Sequence, residues 1–196
     1  MMLELPSLLK QIRLHCYSET KNHIELIVEQ NSRIENYFSV LIIILLAKLK
    51  SNNKITDYKF QYLLTNPNDK RKHIDFLISG KDFKAYVEIK HLVIDTKEKL
   101  KNKRTINFYT SKTEQGKKVG IIGDLEKLNN TAKNTITDLI SFSIVTNPPD
   151  KKIINERIKY LLKQDVSKNW EIEEYSSDSI KLSFIVCSKS LTKPTK

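Results

Sequence analysis

Residues 73–90, HIDFLISGKDFKAYVEIK, hold the side chains of this chain best suited to chemistry: an aspartate, a segment that reads as a tight turn, then Glu-Ile-Lys. A turn centred on Gly80-Lys81 would set Asp75 opposite Tyr86 and His73 opposite Glu88 in an antiparallel pair. Side chains alternate along strands, so His73, Asp75, Tyr86, Glu88 and Lys90 would share one face and Ile74, Phe76, Ile78, Ala85, Val87 and Ile89 the other. One face then reads as core and the other as charge. Asp75 and Glu88 become diagonal neighbours, able to present hard carboxylate oxygens to one Mg²⁺ or Mn²⁺. Lys90, one step further on the same face, could polarise an attacking water and steady charge developing on a phosphate. The plainer alternative is a charged hairpin on the surface of a basic protein.

Residues 3–14 read as a short amphipathic helix and 21–50 as one long helix or two in tandem, with Ile34, Phe38, Leu41, Leu45 and Leu49 at helical spacing. Ser32 and Glu35 fit a capping box that would start a second helix there. The apolar run Val40–Ala47 is far shorter than the roughly 20 residues that span a bilayer, and reads as a buried helix. A first strand is expected within 54–66, two more at 73–79 and 83–94, a helix at 119–130, a buried strand at 139–146, a helix near 152–164, and a final hairpin turning at Ser177-Asp178. Length and a hydrophobic fraction of 39% fit one domain over 1–196, with a core at about 21–147 and a C-terminal elaboration at about 151–190.

The net charge of +11 favours a polyanionic partner, since basic side chains that neutralise phosphates release condensed counterions. Arginine stands only at 13, 33, 71, 104 and 157, a lysine skew that an AT-rich genome would also produce. Between 97 and 118, seven lysines and one arginine face only Glu98 and Glu114, with Phe108 and Tyr109 among them. Lys101, Lys103, Arg104, Lys112, Lys117 and Lys118 are the candidate nucleic-acid contacts, against a solvated linker as the alternative. Cys16 and Cys187 form no metal or disulfide pattern, and no export signal is visible, so a cytoplasmic protein without membrane attachment is expected. With glycine only at 80, 116, 120 and 123 there is no phosphate-cradling loop.

Asp75 followed by Glu88-Ile89-Lys90, on a strand pair preceded by a helix and followed by a helix and a strand, resembles the PD-(D/E)xK nuclease superfamily. The resemblance implies an α/β restriction-endonuclease-like fold, a mixed central sheet flanked by helices in the order α-βββ-α-β, here with a C-terminal helix and β-hairpin. It implies that Asp75, Glu88 and the Ile89 carbonyl bind Mg²⁺ or Mn²⁺, that Lys90 assists the water, and that a helix glutamate joins them. Glu35 is the choice for that glutamate, with Glu29 and Glu25 behind it. No proline precedes Asp75, where His73-Ile74 stands instead. The implied activity is a Mg²⁺-dependent nuclease, DNA favoured over RNA, in restriction, defence, repair or mobile-element biology, as a homodimer or within a larger nuclease complex.

Two other functions stay open: a non-catalytic nucleic-acid-binding module with the same fold, and an interaction protein whose basic face reflects codon bias. His73 reads more simply as a solvated strand residue, and Tyr86 as packing rather than base-stacking. Trp170 reads as core or a hairpin anchor. Asp124 and Glu126 are expected to serve their helix, and Lys127 the surface, with a phosphate contact as its alternative.

Overall fold

The computed structural model describes residues 1–21, 23, 34–64, 73–93, 120–146, 148, 151–177 and 182–191. Its architecture is α/β, a six-stranded mixed sheet flanked by helices. The elements are α1 (Leu5–Thr20), α2 (Ile34–Ser51), β1 (Asp57–Leu63), β2 (His73–Ser79), β3 (Lys84–Val93), α3 (Gly120–Thr131), β4 (Asp138–Thr146), α4 (Lys151–Leu162), β5 (Glu171–Ser177) and β6 (Leu182–Ser190). In space the strands run β1-β2-β3-β4-β6-β5. Only β3 and β4 are parallel, and the chain between them is long enough for the crossover that a parallel pair requires. The C-terminal hairpin extends the same sheet through β6 against β4.

Period-two alternation sorts the strand residues onto two apolar layers. Phe76, Ile78, Val87, Ile89, Phe142 and Phe184 pack under α1 and α2 against Leu8, Ile12, Phe38, Ile42 and Leu46. Leu77, Tyr86, Leu139 and Ile185 pack on the other face against Ile121, Leu125 and Leu128 of α3, Leu161 of α4, and Trp170. The face expected to be open and charged is therefore covered too: Tyr86 is buried, and its place under α3 removes it as a base-stacking platform. Trp170 is core, as expected.

Several boundaries move. The first helix runs on to Thr20 because Cys16 and Thr20 continue its buried stripe. Val40 and Ile44 are more than half exposed, so the apolar run of α2 is amphipathic rather than buried all round. Ser79 pairs with Lys84, whereas a two-residue turn would have set it opposite Asp82. The connection is therefore the four residues 80–83, in which the Gly80 amide donates to the Phe83 carbonyl at 2.9 Å. The last hairpin closes with Ser177 opposite Leu182, so its connection is 178–181 rather than a tight turn at Ser177-Asp178, and those four residues lie outside the described ones. Among the described residues no helix is long and apolar enough to cross a membrane.

Gly80 is required by contact rather than by conformation, since a Cβ there would run into the ring of buried Phe83. Gly80→Ala is expected to lower unfolding free energy by about 1–3 kcal/mol in urea denaturation, the usual cost of forcing a packed ring aside. An unchanged midpoint would show that Phe83 yields freely.

Candidate active site

The longer connection slides the β2–β3 register by two residues. Phe76 pairs with Val87 on the last rung of the ladder, and extending that register by one step would set Asp75 opposite Glu88 rather than diagonal to it. Glu88 and Lys90 keep the shared face expected of them on β3, but β2 changes parity at Asp75. Ile74, expected beside Phe76 and Ile78, packs with Tyr62 and Tyr86 in the opposite layer, and the Asp75 carboxylate turns into the gap between the strands.

Backbone pairing between β2 and β3 stops at Phe76 and Val87. Beyond it the Ile89 amide donates to Asp75 Oδ2 at 2.7 Å, and the His91 amide reaches Glu35 Oε2 at 3.5 Å, the outer limit of a hydrogen bond. Two carboxylates thus replace the missing strand along the edge of β3. The same residue is bypassed on its other side: Asp75 would oppose Gln61, whose φ of 47° is left-handed, and the β1–β2 ladder skips that pair. A non-glycine residue in that region is uncommon and marks a local distortion of β1 at the site, across which the one-to-one register with β2 is kept. The amide and carbonyl of one strand residue project to the same side, so the Ile89 carbonyl shares the gap that Asp75 fills.

The sequence-chosen residues therefore meet. Lys90 Nζ lies 3.7 Å from Glu35 Oε2, a half-exposed pair that brings the α2 glutamate to the Glu-Ile-Lys strand. His73 stays at the rim, its Nδ1 3.3 Å from the Gln61 carbonyl. His91 turns to the other face, beside Phe38 and 3.0 Å from Thr146 Oγ1, and burial lowers its pKa to about 4. Glu25, Glu29, Ser32, Lys101, Lys103, Arg104, Lys112, Lys117 and Lys118 lie outside the described residues.

Two members depart from their sequence reading. Lys127 reaches back from α3 to within 2.6 Å of Glu88 Oε1, so it is the counter-charge of a buried carboxylate rather than a surface lysine. Asp124, one helical turn earlier, is not in the first turn of α3 and its Oδ2 is sealed without a partner, so a helix-dipole role does not account for it. The signal is present in the sequence as Asp124 and Lys127 at i, i+3, facing the sheet with Ile121, Leu125 and Leu128.

Glu88 is 4% exposed, and burial, reinforced by the Asp75 charge, pushes its pKa up to about 8 despite Lys127. Burial likewise raises Asp124 to about 7, with Lys90 and Lys127 opposing the rise and Asp75 and Glu35 adding to it. Four carboxyl groups thus stand around two ammonium groups, and burial keeps protons on Glu88 and Asp124 that a bound divalent cation would displace. Among the described residues no three His, Cys, Asp or Glu side chains form a ready-made metal cage. The donor set that fits a hard cation is smaller: the Asp75 and Glu88 carboxylates and the Ile89 carbonyl, with water completing the sphere.

Both raised carboxyls hold protons in the folded chain that the unfolded chain has released. Their contribution is complete below the ordinary carboxylate range and is lost as pH rises through the folded values. Buried neutral His91 acts oppositely, but only below its ordinary value of 6.5. Between pH 6.5 and 8 the metal-free protein is therefore expected to lose stability with rising pH, and Glu88→Gln to flatten that slope; thermal melting across this range checks it, and a parallel slope in the variant would contradict it. Comparison with protein-family models, curated proteins and solved structures finds no match, so the functional reading rests on this geometry.

Proposed function

We propose that this protein is a Mg²⁺-dependent nuclease of the PD-(D/E)xK type with a restriction-endonuclease-like fold, cutting phosphodiester bonds of DNA in the cytoplasm, in restriction, defence, repair or mobile-element biology. The observation that carries the reading is the Asp75 carboxylate held on the Ile89 amide, next to Glu88, where β2 and β3 part, with Lys90 and Glu35 joined beside them. A charged surface hairpin would not bury Glu88 under a helix.

In this reading Asp75, Glu88 and the Ile89 carbonyl hold the cation, which supplies Lewis-acid activation of water and phosphate. The chain's own groups do the rest. Hydrogen bonding to Ile89 fixes the Asp75 carboxylate before any ligand arrives, so little orientation is lost on binding. Glu35 holds the Lys90 ammonium at the site, where it can stabilise the charge that builds on the phosphate as water attacks. Lys127 neutralises Glu88 until a stronger cation competes for it, and its ammonium is then available to a phosphate oxygen. The basic 97–118 segment is the proposed DNA-holding surface, and a homodimer or larger complex would suit cutting of both strands.

The binding-module reading is favoured by one observation: Asp75 and Glu35 cap strand amides, and Glu88 has Lys127, so each has a structural partner already. Supercoiled plasmid, single-stranded DNA and RNA with Mg²⁺, Mn²⁺ or EDTA separate the two. Metal-dependent cutting of DNA is expected, reduced about 10²-fold or more in Asp75→Ala and Lys90→Ala. Equal DNA binding by all three proteins with no cutting would leave the binding module.

A further inference from the structure

Buried polar atoms on a sheet are rarely left without partners, and those that are call for an explanation. In β4, Ser141 and Ser143 are fully buried and neither hydroxyl has a partner. Register partners in a parallel pair face the same way, and these two stand beside Glu88 and Lys90 respectively. Ser141 also pairs with Cys187 of β6. One row across the sheet is therefore Glu88, Ser141 and Cys187, with Asp75 at its open end on the Ile89 amide; the next holds Lys90 and Ser143.

Helix α3 covers this region by packing on β3 and β4. Lys127 on Glu88 and the buried Ile121, Leu125 and Leu128 turn the Asp124 side of α3 toward these rows, and one Asp124 oxygen is sealed and unpartnered; the Cys187 thiol is pushed up by burial first and by the Asp124 charge second. Three orphaned groups, two hydroxyls and a carboxylate oxygen, thus share the interior side of the proposed site.

We infer that Asp124, Ser141 and Ser143 form an internal water-binding chamber behind Glu88 and Lys90, with Asp124 as a positioning residue for the hydrolytic site. Water suits this set better than a further cation, because two ammonium groups already approach Asp124. It also suits the chemistry: each hydroxyl can donate to and accept from water, while Asp124 accepts, so bound water can satisfy all three. The chamber lies along β4 next to both Glu88 and Lys90, where an ordered water chain would hold their polar ends in place. The positioning role rests on the nuclease reading; the water site itself does not.

The test begins with the metal-free wild-type protein, labelled with nitrogen-15, by recording water-selective cross-relaxation at the Ser141, Ser143 and Asp124 amides. Long-lived water is expected there. Ser141→Ala and Ser143→Ala then give a signed result: removing a hydroxyl bonded to water should lower the melting temperature by about 2–4 °C, whereas removing a dry orphan should raise it. No water signal together with unchanged or raised melting overturns the chamber. For the positioning role, Asp124→Asn should change the shape of the pH profile of Mg²⁺-dependent cleavage; a uniform drop at every pH would make Asp124 a packing residue. If wild type holds water yet cuts no nucleic acid, the nuclease reading and the positioning role fail and the water site stands. If it cuts DNA but is dry, the reverse holds.

Discussion

A carboxylate at the centre of a sheet, covered on its own face by a helix, has to be answered by charge. Glu88 is that group: β3 is the third of six strands, α3 closes over it, and only 4% of the residue is exposed. Desolvation and the nearby Asp75 charge both disfavour its ionised form, and Lys127 at 2.6 Å is the protein's own compensation. Replacing Glu88 with an apolar residue would remove the problem at little cost in packing. That the chain instead supplies Lys127 and keeps Asp75 next to it argues for a use of the charge.

The surrounding structure follows from keeping this group accessible from one side. A regular β2–β3 ladder would bring the two strands together across the gap. Here the ladder ends at Phe76 and Val87, left-handed Gln61 is skipped by the ladder on the other side, and the Ile89 and His91 amides of β3 are met by carboxylates from β2 and α2. The apolar layers on both faces hold the opening rigidly: Phe76, Val87 and Ile89 belong to one, Leu77 and Tyr86 to the other. Local irregularity next to a proposed site, held by a regular core, is the arrangement expected where function competes with strand pairing.

Much of this is legible in the sequence because period-two alternation is robust. The shared face of Glu88 and Lys90 and the nearness of Asp75 withstand a two-residue error in register, since a shift of two preserves parity along β3, although the change of parity that puts Ile74 in the opposite layer is not foreseen. The turn itself is misleading because Gly80-Lys81 looks like a two-residue loop, while packing of Phe83 against Gly80 imposes four. Glu35 is chosen through the resemblance, which implies a glutamate on the helix before the sheet, whereas Val40 and Ile44 show that an apolar run does not reveal which side is buried. The i, i+3 spacing of Asp124 and Lys127 on the apolar side of α3 is visible in the sequence, but what they meet is not, and the same holds for Ser141 and Ser143: it comes from α3 lying over β3 and β4, a contact between segments distant in sequence. No local pattern encodes it.

The account turns on whether Asp75 and Glu88 hold one divalent cation between them. The most direct measurement adds substoichiometric Mn²⁺ to nitrogen-15-labelled protein and follows paramagnetic broadening of the amide signals. Selective loss of the Asp75, Glu88 and Ile89 signals, reversed by EDTA and absent in a Glu88→Gln variant that keeps its fold, is the predicted result. Broadening centred elsewhere, or unchanged in that variant, would contradict it.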